Sequence, residues 1–219
     1  MTEQTSTENP LPSEQVPPGH DDSAALPELP DVPVLHDRSG SQRNEPMTAT
    51  TKLADLLLRT GISVATAESL TGGALAAELV RVPGISAVYN GGVVAYAYDV
   101  KTNLLGVERD LLLTRGAVND EVALQMARGA REACRIDDVP ADVGVATTGV
   151  AGPEPSDGEP AGIVYVGLST LWGERAFRLD FTNLVRADDP VGSRQRIRFA
   201  TVEAAVYQLT EYLIAQAND

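Results

Sequence analysis

The chain has 219 residues and carries 31 acidic against 17 basic side chains, a formal net charge of −14. That length supports one good core or two small ones, and the acidic balance excludes a nonspecific nucleic-acid or anionic-membrane surface. A lone Cys134 rules out an intrachain disulfide and gives no zinc spacing, and no pattern of Asp and Glu favours a metal, so neither metal nor other cofactor is expected.

The first 47 residues hold eight of the 14 prolines and both histidines, with nine acidic residues against Arg38 and Arg43, and no Phe, Trp, Tyr or Cys. Such a segment cannot bury enough apolar surface to offset its ordering entropy, and it reads as a disordered acidic tail. It has neither the positive nor the apolar region of a signal peptide, and the chain has no 18-residue apolar run. A cytoplasmic protein without a membrane partner is therefore expected. Residues 48–217 read as one folded domain, and that domain contains no imidazole.

Along the domain, Leu53, Leu56 and Leu57 share one face of a helix over 49–59 that Gly61 stops. Residues 62–67 (ISVATA) are short, β-branched and apolar, as in a buried parallel strand. They run into Glu68-Ser69-Leu70-Thr71-Gly72-Gly73 and an alanine-rich helix over 74–81. Pro83-Gly84 breaks that helix; a strand is expected over 92–98, then a short helix capped by Asp99 and ended by Gly106. Asn119-Asp120-Glu121 opens a helix whose Val122, Met126, Ala130 and Cys134 recur every four residues. Strands follow over 142–148, 163–169 and 174–181, and a last amphipathic helix covers 194–215. Mixed strands flanked by helices predict an α/β fold, a three-layer α/β/α sandwich with a mixed central sheet.

Small polar residues and glycines follow apolar strand ends twice, at 69–73 and 147–152, where an open α/β sheet binds its ligand. Ser69 at a strand-turn-helix junction suits a nucleophile, although a helix-capping hydroxyl is the commoner reason for a serine there. Without histidine, its proton has to go to Lys, Tyr, Asp or Glu. Lys101, in a first helical turn that opens against the macrodipole, is either that base or a solvated surface lysine. Tyr96 and Tyr98 fall on one face of the expected strand. Glu68 is read as a ligand contact or as a carboxylate that shapes the turn; the loop 154–159 reads as solvated.

Taken together, AESLTGG (67–73), VAYAYDVKTNLLGV (94–107), RGAVNDEVALQMARGA (115–130) and TTGVAGP (147–153) resemble the CinA C-terminal domain family. The resemblance implies hydrolysis of the carboxamide of nicotinamide mononucleotide to nicotinate mononucleotide and ammonia. It places the serine nucleophile on Ser69 and the activating pair on Tyr96 and Lys101. Substrate contacts are implied at Glu68, Thr71, Gly72, Gly73, Thr148, Gly149, Gly152 and Arg194, with oxyanion donors in the backbone of 71–73. The implied partners are a small nucleotide substrate and a second copy of the chain in a homodimer or other homo-oligomer, with no nucleic acid. The chain departs from the family pattern at Leu70, at Gly91 and Pro190, where an arginine is usual, and in the loop between Pro153 and Pro160, which lacks the familiar lysine. Three absent cations leave two alternatives standing: a catalytically silent nucleotide-binding or regulatory module, and an amidase for a related non-phosphorylated amide.

Overall fold

The structure is a computed structural model and describes residues 48–217. The expected disorder of residues 1–47 lies outside the described residues. Helix α1 (Ala49–Thr60) starts at Thr48, whose hydroxyl accepts from the Thr51 amide, and stops at Gly61 in the left-handed conformation (φ 70°). Between these ends Leu53, Ala54 and Leu57 turn inward. Strand β1 (Val64–Glu68) is buried at every position. Then come α2 (Ala74–Val80), β2 (Tyr89–Val94), α3 (Tyr98–Leu105), α4 (Arg109–Arg115) and α5 (Asp120–Ala133). The chain ends with β3 (Val143–Gly149), β4 (Ile163–Thr170), β5 (Gly173–Asp180) and the 28-residue α6 (Pro190–Ala217).

The five strands lie in the order β2-β1-β3-β4-β5. β1 is parallel to both of its neighbours, while β3, β4 and β5 alternate in direction. Because side chains alternate along a strand, Val64, Val143 and Val145 face α1, α2 and α6, whereas Ala65, Ala67 and Ala146 face α3, α4 and α5. Two apolar layers result, one on each side of a mixed sheet, and the fold is α/β. On the second side α5 comes unusually near. A methyl group on Gly144 or Gly167 would run into the carbonyls of Ala127 or Ala123, so the missing side chains set that distance.

Several boundaries differ from the sequence-based expectation. The strand expected over 92–98 runs over Tyr89–Val94 instead, because β1 ends at Glu68 opposite Val94 and offers only one more bond, from the Ala95 amide to the Glu68 carbonyl. Tyr96 and Tyr98 therefore share no strand face. Tyr98 opens α3 after Ala97, and Asp99 makes no cap but pairs with Arg109 at 2.5 Å. Helix α4 has no counterpart in the reading of the sequence and buries Leu112. Helix α6 begins four residues earlier than expected. Pro190 suits a first helical position, and the Asp189 carboxylate accepts from the Gly192 amide at 2.9 Å. Among the described residues no helix is long and apolar enough to cross a membrane.

Candidate active site

After β1 the chain turns toward β2, and after β3 it turns the other way toward β4, so a crevice opens between the carboxyl ends of β1 and β3. The two strands deliver the turn at Ser69 and the loop after Thr148 to the same place, joined by the Ser69 amide donating to the Thr147 carbonyl at 2.9 Å. Below them the hydroxyls of Thr71 and Thr147 bond to each other at 2.7 Å. Leu70 and Ala151 pack with Val164 and with Ile197 of α6, closing the two loops against the final helix.

The turn that carries Ser69 is held by Glu68. α2 starts after Gly73, a residue with φ 94° and no side chain to cap the helix. The buried Glu68 carboxylate takes over, accepting from the amides of Gly73, Leu75 and Ala76 at 2.8–3.0 Å. A negative charge on these orphan donors also suits the helix dipole.

Lys101 comes from the other side. It is the fourth residue of α3 and only 1% exposed. Helical side chains lean toward the helix N-terminus, so its stem folds back over the incoming chain. Its Nζ lies 2.8 Å from the Ala95 carbonyl, 3.0 Å from the Tyr96 carbonyl and 3.0 Å from Ser69 Oγ. Burial pulls its pKa from 10.5 down to about 8, and the Asp157 carboxylate opposes that pull in part. The surface-lysine reading of Lys101 is thus overturned. The bond from the Ala95 amide to the Glu68 carbonyl, at the end of β1, brings the incoming chain and the amine it holds to the serine.

A cavity of about 270 Å³ opens over this pair, and Ser69, Tyr96, Lys101, Thr148, Gly149, Gly152 and Arg194 all border it. Thr148 donates its hydroxyl proton to the Ala117 carbonyl at 2.6 Å and keeps its lone pairs for another donor. Arg194 Nη1 donates to the Gly152 carbonyl. Tyr96 is 64% exposed, and its phenol makes no hydrogen bond among the described residues; what reaches Lys101 is its main-chain carbonyl.

The other expected contacts lie elsewhere. Glu68, Thr71, Gly72 and Gly73 do not border the cavity. The Gly72 amide donates to the Ser69 carbonyl at 3.1 Å and the Gly73 amide to Glu68, so neither is free to hold an oxyanion. Gly91 and Pro190 also lie outside the cavity wall, Gly91 within a bulged stretch of β2.

Asp157 and Arg198 are among the residues that escaped the reading of the sequence. Asp157, placed there in a solvated loop, accepts from the Tyr98 phenol at 2.7 Å and from the Ala117 amide at 2.9 Å, and with Glu154 it borders the cavity. Burial and this carboxylate push Tyr98 up to about 12. Arg198 of α6 donates to the Leu70 carbonyl at 3.1 Å and the Thr71 carbonyl at 2.8 Å. Its spacing of four from Arg194, beside the buried Ile197 and Thr201, was the available signal: a cation at the margin of an inward face. Among the described residues no group of three or more His, Cys, Asp or Glu side chains is placed to hold a metal ion.

Residues 47–213 match the family model of the CinA C-terminal domain. A putative competence-damage inducible protein of Halothermothrix orenii is 40% identical over 164 residues, covering 74% of this chain and 36% of that protein. A CinA-like protein of Frankia casuarinae is 42% identical over 163 residues, covering 74% of this chain and 34% of its own length. The chain thus spans about a third of the length of these curated relatives. Among solved structures, a CinA superfamily protein from Klebsiella pneumoniae aligns with a TM-score of 0.67 at 31% identity, over 76% of this chain and 96% of that one. A competence/damage inducible protein from Agrobacterium tumefaciens aligns at 0.63 and 34% identity, with coverage of 76% and 96%.

Proposed function

The chain belongs to the CinA C-terminal domain family, and from that premise and the geometry around Ser69 we propose that it hydrolyses the carboxamide of nicotinamide mononucleotide to nicotinate mononucleotide and ammonia. One observation carries the reading: the buried Lys101 amine, 3.0 Å from Ser69 Oγ, with two main-chain carbonyls in reach of its remaining hydrogens. A neutral lysine has two N–H bonds and one lone pair. Donating to Ala95 and Tyr96, it turns that lone pair toward the serine proton.

Ser69 Oγ attacks the amide carbon while its proton passes to Lys101 Nζ. Lys101 then gives this proton to the departing nitrogen, the C–N bond breaks and ammonia leaves. Water, deprotonated by the same amine, cleaves the ester and restores Ser69. With a pKa of about 8, roughly a tenth of the Lys101 side chains are neutral at pH 7, a far larger share than an ordinary lysine offers. Tyr96 serves through its carbonyl, which aims the amine, and its phenol is left to contact the substrate. A homodimer is proposed for the assembly, and light scattering giving one chain mass would contradict it.

The test is ammonia release from nicotinamide mononucleotide, measured against Ser69→Ala. Turnover by the parent protein and background release by the variant are expected; equal release by both would overturn the reading. A second reading, an amide without the phosphate, is favoured by the cavity wall itself, which includes the acids Glu154 and Asp157 and whose Arg194 is already engaged with Gly152. A comparison of nicotinamide mononucleotide with its riboside and with nicotinamide separates the two by kcat/KM.

A further inference from the structure

Helix α6 reaches both loops of the cavity with residues one turn apart. Arg194 holds the Gly152 carbonyl of one loop, Ile197 packs on Leu70 and Ala151, and Arg198 holds the carbonyls of Leu70 and Thr71 in the other. Arg198 does not border the cavity, so whatever it does there passes through the serine turn.

The guanidinium is a rigid planar fork, and two successive carbonyls bonded to one fork cannot rotate independently. In a trans peptide the N–H points opposite to the C=O of the same plane. Fixing the Leu70 carbonyl therefore fixes the Thr71 N–H, and fixing the Thr71 carbonyl fixes the Gly72 N–H. The Gly72 amide in turn donates to the Ser69 carbonyl at 3.1 Å, which fixes the plane that carries the Leu70 N–H. Along this turn the amides of Ser69, Gly72, Gly73 and Ala74 already have acceptors. Those of Leu70 and Thr71 have none among the described residues. The two unspent donors are thus the two that follow the serine, and the residue after a nucleophile is where acyl-transfer sites draw an oxyanion donor.

We propose that Arg198 is a positioning residue for acyl transfer at Ser69, locking the peptide planes after the serine so that the amide of Leu70, which borders the cavity, remains available to the developing oxyanion. This rests on the assignment of Ser69 as nucleophile, and it revises the expected donor set of residues 71–73.

The test uses the full chain with Arg198→Met and Arg198→Lys, two substrates and a melting curve. Ammonia release from nicotinamide mononucleotide is read as kcat and KM, and Ser69 labelling by a fluorophosphonate, in which the serine oxygen displaces fluoride from phosphorus, is read by peptide mass. Arg198→Met lowers kcat by about 100-fold and slows labelling in step, while KM stays within about threefold and the midpoint of the pH profile does not move. Arg198→Lys keeps the charge but not the fork and regains under about a tenth of the lost rate. A parental kcat in Arg198→Met, a loss seen in KM alone, or full rescue by lysine overturns the proposal. If Arg198→Met does not fold, Arg198→Lys decides: a parental melting temperature with kcat down tenfold or more supports it, and parental kcat overturns it. Failure of both variants to fold overturns it too, since the arginine is then a requirement of the fold. Labelling of the parent without ammonia release defeats the substrate assignment and leaves Arg198 to be judged on labelling rate; absence of both defeats the nucleophile and this proposal with it.

Discussion

A single amine governs the chemistry proposed for Ser69, and its protonation sets the pH dependence. Lys101 acts as a base only when neutral, so kcat/KM rises with pH through a midpoint near 8 and levels off above it. Lys101→Met, which keeps the length of the stem, removes the ascending limb together with at least about 100-fold of the rate. Stability follows with the same sign. The folded pKa lies below the unfolded value of 10.5, so the folded state binds fewer protons between the two and gains stability as pH rises across that window. Relative to Lys101→Met, the parent gains roughly 2 kcal/mol between pH 7 and pH 9.5 in urea unfolding. Asp157 opposes the lowering, so Asp157→Asn moves the kinetic midpoint to lower pH; a shift to higher pH would contradict the role given to its charge. Ser69 and Lys101 were legible as candidates because residues of these types follow a strand end and open a helix in a domain without histidine. Asp157 was not, since an acid in a Pro- and Gly-rich loop has the composition of solvated chain, and only the fold brings Tyr98 and the Ala117 amide to it.

At the scale of elements, the site depends on how α2 begins. Glycine at its cap supplies no acceptor, and Glu68, five residues earlier, supplies a buried carboxylate to three amides. Glu68→Gln keeps the shape and loses the charge and an acceptor, a loss of about 2–3 kcal/mol in urea unfolding. The variant's kcat should fall as well, because the same turn carries Ser69; a neutral effect on stability would show that the cap contributes little. Of the two readings that the sequence left open for Glu68, the geometry has the carboxylate shaping the turn. Helices α1 and α5 were legible from their caps and inward stripes. β2 was misplaced by its tyrosines, which look like strand residues, because the length of a strand is decided by its neighbour and β1 runs out at Glu68. α4 escaped notice because seven residues with one buried leucine leave no periodic signal.

For the whole molecule, the alternation of buried strands and amphipathic helices implied a layered α/β fold, and the mixed sheet with helices on both faces has that form. Strand order was not readable, since β1, β3 and β4 are all buried runs and nothing local tells the middle strand from its neighbours. Among the described residues, those bordering the cavity fall between Ser69 and Arg194. A chain beginning at Met47 is accordingly expected to release ammonia with kcat/KM within about threefold of the full chain; a larger loss would assign the preceding segment a part in catalysis.

The proposed catalysis turns on an acyl group passing through Ser69. Acid quench during turnover of nicotinamide mononucleotide, followed by peptide mass measurement, reads this directly. An ester on the peptide containing Ser69, with the mass of the substrate less ammonia, is predicted in the parent protein and absent from Ser69→Ala. Ammonia released at the parental rate by Ser69→Ala, with no such ester on the parent, would contradict it.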